Sequence, residues 1–118
     1  MGDIFRDTFL GFVRVHVLYH AAKDRIFGLE MMEELREHGY DLSPGTLYPT
    51  LHAMEKAGYL RAEQEVVSGK VRKYYRITPT GKRVLGQLQA KIRELTQEVL
   101  DDVTPTARRA TGASRKSG

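Results

Sequence analysis

Residues 59–78, YLRAEQEVVSGKVRKYYRIT, decide the fold of this 118-residue chain. The segments 59–67 and 71–78 are rich in β-branched and aromatic residues, and Ser68-Gly69-Lys70 lies between them. This pattern predicts two short strands joined by a glycine-containing turn, which is a β-hairpin. The chain has helical periodicity before and after this stretch, so we expect the hairpin to lie between helices.

Two helices are predicted from the first part of the chain. Within residues 4–24, apolar residues recur at three- and four-residue steps and mark a helix of about five turns. The apolar stripe consists of Phe5, Phe9, Phe12, Val13, Val17 and Ala21. After an interruption at Phe27-Gly28, a shorter helix is expected to run to Gly39, which can end it in a left-handed conformation. The residues that mark this second helix are Leu29, Met32 and Leu35.

A proline follows a hydroxyl residue at two further predicted helix starts. Ser43 can act as the N-cap of a third helix, and Pro44 at the first helical position lacks the N–H that would go unpaired there. Gly58 is expected to end this helix. Thr78-Pro79 repeats the signal and opens a last helix that extends to about Asp102.

The predicted order of elements is three helices, a β-hairpin and a long helix. This order is typical of a winged helix-turn-helix, so the predicted fold class is mainly α with a small β-hairpin (α+β). We expect residues 1–78 to form a winged helix-turn-helix DNA-binding domain and residues 79–103 to form a C-terminal dimerisation helix. Residues 104–118 are small, polar and basic, which predicts a disordered basic tail.

Composition excludes several classes of protein. The chain has no cysteine, which excludes disulfides, thiol nucleophiles and thiolate metal sites. No apolar run approaches the roughly 20 residues of a membrane span, so a soluble, cytoplasmic protein without a membrane partner is predicted. The sequence contains neither a phosphate-binding glycine loop nor a serine–histidine–acid motif, so we do not expect an enzyme.

Charge is divided unevenly along the chain. Residues 21–60 contain four lysines and arginines against seven acidic residues, whereas residues 61–118 contain thirteen against six. The basic second half indicates an anionic partner. Double-stranded DNA is the first candidate, although charge alone would equally suit an acidic membrane surface.

The third predicted helix and the hairpin carry motifs of a known family. Residues 43–51 read SPGTLYPTL, residues 54–60 read MEKAGYL, residues 72–78 read RKYYRIT, and Thr80-Gly81 follows. These motifs resemble those of the PadR family of bacterial transcriptional regulators, and the resemblance covers roughly residues 8–100. The chain is most similar to the short subfamily, which has a single C-terminal helix.

The resemblance implies a homodimeric, sequence-specific DNA-binding regulator in which the C-terminal helix joins the protomers. It also implies a repressor that responds to an effector, such as a phenolic acid, a drug or, in some members, a metal, and that requires no cofactor. One position departs from the family: where many members carry His-Gly-Tyr, this chain has Phe27-Gly28-Leu29. No DNA or ligand role of that histidine or tyrosine is therefore carried over.

Candidate DNA contacts lie at the start of the third helix and in the hairpin. A helix N-terminus offers free N–H groups and a favourable dipole to phosphate, and in a major groove the same end would reach base edges. The candidates there are Ser43, Gly45, Thr46, Tyr48 and His52. In the hairpin the candidates for phosphate contacts are Lys70, Arg72 and Lys73. The alternatives are a Ser43 that only caps, a partly buried Tyr48 and a charged edge strand that only resists aggregation.

Alternation along the second strand divides its side chains between two faces. Arg72, Tyr74 and Arg76 are expected on one face. Tyr75 and Ile77, on the other face, are expected in the core.

The last helix carries a heptad pattern. Its apolar residues are spaced three, four, three and four apart and are Leu85, Leu88, Ile92, Leu95 and Val99. This is an a/d seam over two heptads on a helix of roughly 36 Å. A small domain would leave much of the seam exposed, which favours a homodimer, while packing against the first helix is the alternative and both can occur. A two-fold dimer would set its recognition helices about one DNA turn, roughly 34 Å, apart on a dyad-symmetric operator.

His16 and His20 stand four residues apart on the first predicted helix, as paired metal ligands on a helix do. Zinc needs three or four ligands, and spacing alone indicates no third, although Asp24, His38 or His52 could approach in the fold. Ordinary packing of the histidines is the alternative. Two rival functions therefore stay open: a metal-responsive sensor of the same fold that uses His16 and His20, and a winged-helix module that binds protein and not DNA.

Overall fold

The computed structural model describes residues 3–101 and confirms the predicted order of elements. The helices are α1 (Ile4–Lys23), α2 (Gly28–Glu37), α3 (Pro44–Lys56) and α4 (Pro79–Val99), and the strands are β1 (Leu60–Val67) and β2 (Lys70–Ile77). The fold is α+β, a winged helix whose wing is the β1–β2 hairpin. The predicted tail, residues 104–118, and the last two residues of the predicted terminal helix lie outside the described residues.

The chain divides into two compact units within α4, between Leu85 and Gly86. The first unit holds α1, α2, α3, the wing and the first turns of α4, and the second holds the remainder of that helix. None of the four helices in the described part of the chain combines the length and the hydrophobicity of a membrane span.

The wing closes with a two-residue turn. The strands pair antiparallel from Leu60↔Ile77 to Val67↔Lys70, so only Ser68 and Gly69 lie between them. Both turn residues have positive φ, 53° at Ser68 and 79° at Gly69, as in the type I′ turn that matches the twist of a hairpin. Lys70, expected in the turn, is the first residue of β2.

The core forms from the inner faces of α1, α2 and α3 together with the base of the wing. The side chains that are fully or almost fully buried include Val13, Val17, Leu18, Met31, Leu35, Leu47, Leu51, Leu60 and Tyr75. No polar or charged residue of the described range is buried with them. The first unit is therefore held together mainly by the burial of apolar side chains.

Two predicted apolar stripes differ from the observed ones. In α2 the buried side chains are Met31 and Leu35. Together with Gly28 they are spaced three and four residues apart, so they lie on the same face of the helix. The predicted markers on the adjacent face are exposed or half-buried: Leu29 and Met32. In α1 the buried stripe begins only at Val13, which leaves two of the predicted aromatic residues on the surface: Phe5 and Phe12.

Tyr74 is buried, although alternation placed it on the strand face opposite Tyr75. Only 8% of Tyr74 is exposed, because the segment before α2 covers it. Ile26 pairs with Tyr75 through two backbone hydrogen bonds, with N···O distances of 2.9 and 2.8 Å, and so adds a third extended segment beside β2. The Arg25 guanidinium then lies 3.8 Å from the centre of the Tyr74 ring, and the Phe27 ring packs edge-on at 5.5 Å.

A side-chain cap opens α4. The Thr78 hydroxyl accepts a hydrogen bond from the Gly81 N–H (3.0 Å) and donates one to the Gly58 carbonyl (2.6 Å), so the predicted start is confirmed and is tied to the turn after α3. Gly81 packs directly on the Tyr59 carbonyl and on the Ile77 side chain, with no room for a Cβ. Ile77 itself, expected in the core, is half-buried.

Gly81→Ala should destabilise the protein, because the added methyl group would overlap the Tyr59 backbone. We expect a loss of about 1 to 3 kcal/mol in the free energy of unfolding. Gly86→Ala, in the same helix, meets open space and should instead raise that free energy by about 0.5 to 1 kcal/mol through helix propensity. Urea unfolding of both variants measures these changes, and shifts of the same sign and size would contradict the packing argument.

Candidate nucleic-acid interface

α3 has one buried and one exposed face. Its buried residues are Leu47, Leu51 and Met54. The exposed side carries Gly45, Tyr48 and His52 at three- and four-residue spacing, with Ser43 exposed at the N-cap and Thr46 half-buried. The five residues predicted to contact DNA from this helix therefore lie at its surface, on an element whose opposite face is anchored in the core.

The N-terminus of α3 is capped by the backbone and not by the Ser43 side chain. Ser43 occupies the N-cap, but its hydroxyl accepts no backbone N–H and lies 3.4 Å from the Thr46 hydroxyl. The Ser43 carbonyl instead accepts hydrogen bonds from the N–H groups of Thr46 and Leu47, at 3.0 Å each. The predicted side-chain cap is therefore wrong. Both hydroxyls are left at a helix end whose dipole favours an anion.

Tyr48 combines a packing role with an exposed edge. Its ring lies against the backbone of Gly28, where any Cβ would overlap the ring. This contact joins α3 to the first residue of α2 and requires glycine there. Tyr48 is nevertheless 44% exposed, so one side of its ring packs on Gly28 and the other side faces solvent.

The three predicted cations of the wing have different surroundings. Lys70 is exposed, and its ammonium forms no ion pair with any residue between 3 and 101. The Arg72 guanidinium lies 4.3 Å from the centre of the Phe27 ring. The Lys73 ammonium lies 3.4 Å from a carboxylate oxygen of Glu55 in α3. Arg72 and Lys73 therefore help to hold the wing in place, while Lys70 is available to reach an anion.

Arg25, which belongs to no sequence motif, neutralises the acidic residues of the wing. It donates two hydrogen bonds to the Glu65 carboxylate (2.8 and 2.9 Å) and one to Glu63 (3.2 Å). Arg76 reaches the same Glu63 carboxylate at 3.3 Å. The hydrogen bonds from Arg25 lower the pKa of both carboxyl groups, and the one with Glu65 is the main cause that raises the pKa of Arg25.

This pairing matters for the binding of an anion. Two uncompensated carboxylates on β1 would repel a phosphate that approaches the wing. Because these carboxylates are paired with Arg25 and Arg76, the hairpin cations without an ion-pair partner among the described residues are Arg61, Lys70 and Arg72. The alternation of Glu63 and Glu65 along β1 indicates that both side chains lie on one face of the strand. Their partner Arg25 lies 38 and 40 residues earlier in the chain, so residue spacing could not identify it.

A third histidine joins the histidine pair of α1. His38, the C-cap of α2, has its ring centre 5.0 Å from that of His16, and the His16 and His20 ring centres are 6.4 Å apart. A Glu34 carboxylate oxygen lies 3.7 Å from His20 Nε2 and 3.5 Å from His38 Nε2. The other two side chains considered from spacing are not part of this cluster: Asp24 and His52.

The heptad seam of α4 is divided between the core and the surface. Leu85 is buried and Leu88 is half-buried. The exposed residues of the seam are Ile92, Leu95 and Val99. α4 has 21 residues and is therefore about 32 Å long. Leu85 serves the core of its own chain, so the surface that a partner could cover begins later in the helix.

Comparisons with known proteins relate this chain to transcriptional regulators. Residues 17–87 match the model of the transcriptional regulator PadR-like family. The transcriptional regulator Rv3488 of Mycobacterium tuberculosis is 47% identical over 95 residues, which cover 80% of this chain and 89% of that protein.

Two solved structures have a similar fold. A PadR-like transcriptional regulator from Bacillus cereus superimposes with a TM-score of 0.77 at 25% identity, covering 85% of this chain and 99% of that one. A PadR family transcriptional regulator from Eggerthella lenta gives a TM-score of 0.71 at 29% identity, covering 88% of each chain. Both comparisons extend over most of the described residues.

Arg25→Gln should lower the urea concentration at which the protein unfolds. The variant loses the paired hydrogen bonds to Glu65 and the stacking on Tyr74, and it leaves both wing carboxylates without their main partner. Combining it with Glu63→Gln and Glu65→Gln should restore part of the loss, because the repulsion between the carboxylates is then removed. Arg61→Gln, an exposed arginine of β1, is the control, and an equal loss in this variant would contradict the assigned role.

Proposed function

The chain belongs to the PadR-like family of transcriptional regulators, and from this premise we propose that it acts as a homodimeric repressor on a dyad-symmetric site in double-stranded DNA. The family and the relative from Mycobacterium tuberculosis are regulators of transcription and not enzymes. The proposal includes the residues that contact DNA, the surface that joins the protomers, a cytoplasmic site of action and an effector that changes DNA affinity.

The exposed polar face of α3 is the observation that carries this proposal. Its opposite face is anchored by buried leucines, so the helix can enter a major groove, about 12 Å wide, without giving up its packing. We assign contacts with base edges to Thr46, Tyr48 and His52. Ser43 and the Gly45 N–H, at the N-terminus of the helix, are assigned to phosphate.

The wing supplies the second set of contacts. Lys70, at the start of β2 beside the turn, is assigned to the phosphate backbone, because it is the exposed cation of this strand without a partner among the described residues. Arg72 and Lys73 already have partners within the chain, so their contacts with DNA would be shared with Phe27 and Glu55. Such contacts set affinity and register and depend steeply on salt.

The second half of α4 is the proposed dimer surface. Its exposed apolar residues follow the three-and-four spacing of a helix that packs against another helix, and Leu95 is 51% exposed in the single chain. A two-fold axis along this surface would set two α3 helices on successive major grooves. We therefore assign residues 1–78 to DNA binding and residues 79–103 to dimerisation.

An effector would act on the geometry of this dimer. A ligand that binds one arrangement of the protomers more tightly than another changes the fraction that can reach both half-sites, and so changes the affinity for the operator. The resemblance to effector-responsive repressors supports this part of the proposal. It implies that DNA binding is released, and not created, when the effector is present.

Lys70→Ala should weaken binding to all duplexes by a similar factor and reduce the slope of log affinity against log salt by about 1. The control is Lys91→Ala, which removes the same charge from α4, where the lysine pairs with Glu94, and should leave the slope unchanged. His52→Ala should instead alter sequence preference, because a base contact is lost and not a phosphate contact. The measurement is selection from a duplex library at two salt concentrations, followed by titration of the enriched sequence.

Enrichment of a dyad-symmetric sequence with steep salt dependence is the expected result. Absence of any sequence preference, with weak binding that salt abolishes, would overturn the regulator proposal and favour the protein-interaction module. An unchanged salt slope in Lys70→Ala would overturn the role of the wing alone.

Leu95→Glu should convert the dimer into monomers, because it places a charge in an apolar helix contact. Gln97→Glu is the matched control, since it adds the same charge on the opposite side of α4. Sedimentation velocity at several protein concentrations distinguishes the two species. A Leu95→Glu variant that sediments as the wild type does would contradict the proposed dimer surface.

A further inference from the structure

We propose that His16, His20 and His38, together with Glu34, bind a divalent transition-metal ion of the zinc class. The proposal concerns ion binding by the chain itself and does not depend on DNA binding. Within residues 3–101, the three histidines are the group of potential ligands whose coordinating atoms converge, all of them within 4.8 Å of one another.

Two helices each supply one pair of ligands. His16 and His20 stand four residues apart within α1, and Glu34 stands four residues before His38 at the end of α2. A spacing of four places both members of a pair on the same side of a helix. The two pairs face each other, as shown by the 5.0 Å between the His16 and His38 ring centres and the 3.7 Å between Glu34 Oε2 and His20 Nε2.

The two distances from Glu34 to its neighbouring histidines are close to those of a tetrahedral site. A zinc ion bound at roughly 2.0 to 2.1 Å holds its ligand atoms about 3.4 Å apart. Glu34 Oε2 lies 3.5 Å from His38 Nε2 and 3.7 Å from His20 Nε2, near that separation without an ion. The histidine nitrogens lie within 4.8 Å of one another, so ion binding would require the imidazoles to move closer together.

His16 packs against the rings of His20, His38 and Tyr40, but its nitrogens are not used within the described chain. His16 is half-buried, yet its ring forms no hydrogen bond or ion pair with any residue of the described chain. Its nitrogen is therefore available to an additional partner.

The ligand set selects the class of ion. Three imidazoles and one carboxylate suit borderline ions such as Zn²⁺, Co²⁺ and Ni²⁺. Mg²⁺ and Ca²⁺ prefer shells made of oxygen and are disfavoured. The chain has no cysteine, so a soft thiolate-seeking ion would find no preferred ligand.

An ion at this position would join α1 to the end of α2, close to the turn that leads into α3. Because the two ligand pairs come together only in the folded chain, the ion would bind the folded state in preference to the unfolded one. Its binding would therefore raise the melting temperature. Metal would hold in place the segment between His38 and Pro44, which determines where α3 begins.

Calorimetric titration of the metal-free full chain with Zn²⁺ tests the proposal. We expect one ion per chain, a raised melting temperature and, with Co²⁺, the intense visible absorption of a tetrahedral complex. His16→Gln, His38→Gln and Glu34→Gln should each lower the affinity at least about tenfold, since even outer-shell changes cost about 10- to 100-fold. His52→Gln removes the fourth histidine of the chain, which lies outside the cluster, and should bind as the wild type does.

Circular dichroism of each metal-free variant shows whether the variant is folded, which separates the loss of a ligand from the loss of the fold. If a histidine variant unfolds, Glu34→Gln still tests the site, because glutamine has nearly the same shape as glutamate. The proposal is overturned if the wild type takes up no Zn²⁺ at submillimolar concentration. It is equally overturned if His52→Gln loses as much affinity as His16→Gln, or if none of the cluster variants loses affinity, because the ion would then be held elsewhere.

Discussion

Two backbone hydrogen bonds between Ile26 and Tyr75 fix the connection between α1 and α2 against the wing. They turn the connection between α1 and α2 into an extended segment beside β2, and the residues on either side of Ile26 then close over Tyr74. The base of the wing is thereby covered on both faces. α2 begins directly afterwards at Gly28, whose bare backbone receives the Tyr48 ring of α3. The position of the wing and the packing of the helix-turn-helix therefore share one anchor.

The same anchor determines which charges the protein offers to DNA. Arg25 is held beside β2 by its neighbour Ile26, and its guanidinium lies over the Tyr74 ring and pairs with Glu65 and Glu63 of β1. Without this arginine the wing would carry two carboxylates among its basic residues. With it, both carboxylates are paired, and Lys70 at the start of β2 forms no ion pair with any described residue. A contact that stabilises the fold thus also sets the electrostatics of the proposed interface, because both depend on the same guanidinium.

α1 and α2 are tied together at two places that differ in chemistry. Near the connection, backbone pairing to β2 holds the two helices. One to two turns before the end of α1, the half-buried His16 and His20 lie next to Glu34 of α2 and to the exposed His38 that caps it. A hydrogen-bonded backbone needs no ligand, whereas the His16 ring, which forms no hydrogen bond within the described chain, gains from one. The proposed metal site would therefore add to a helix pair that already folds, next to the turn that precedes α3.

Local pattern was sufficient for the order of the elements. The type I′ hairpin, the Thr78 cap and the start of α3 at Pro44 each depend on residues a few positions apart, and so does the heptad spacing of α4. The apolar pattern did not identify the buried face of α2. Neighbouring apolar residues allow two possible faces there, and packing against the rest of the core selects the one with Met31 and Leu35.

Tertiary structure alone decided the burial of Tyr74, the partner of Glu65 and the third histidine. Each of these depends on residues that are far apart in sequence, and periodicity carries no information about which distant segment will lie alongside. The sequence by itself therefore determined which elements form and which family they resemble. The tertiary structure decided which charges are paired and which ligands converge, because both depend on distances between elements.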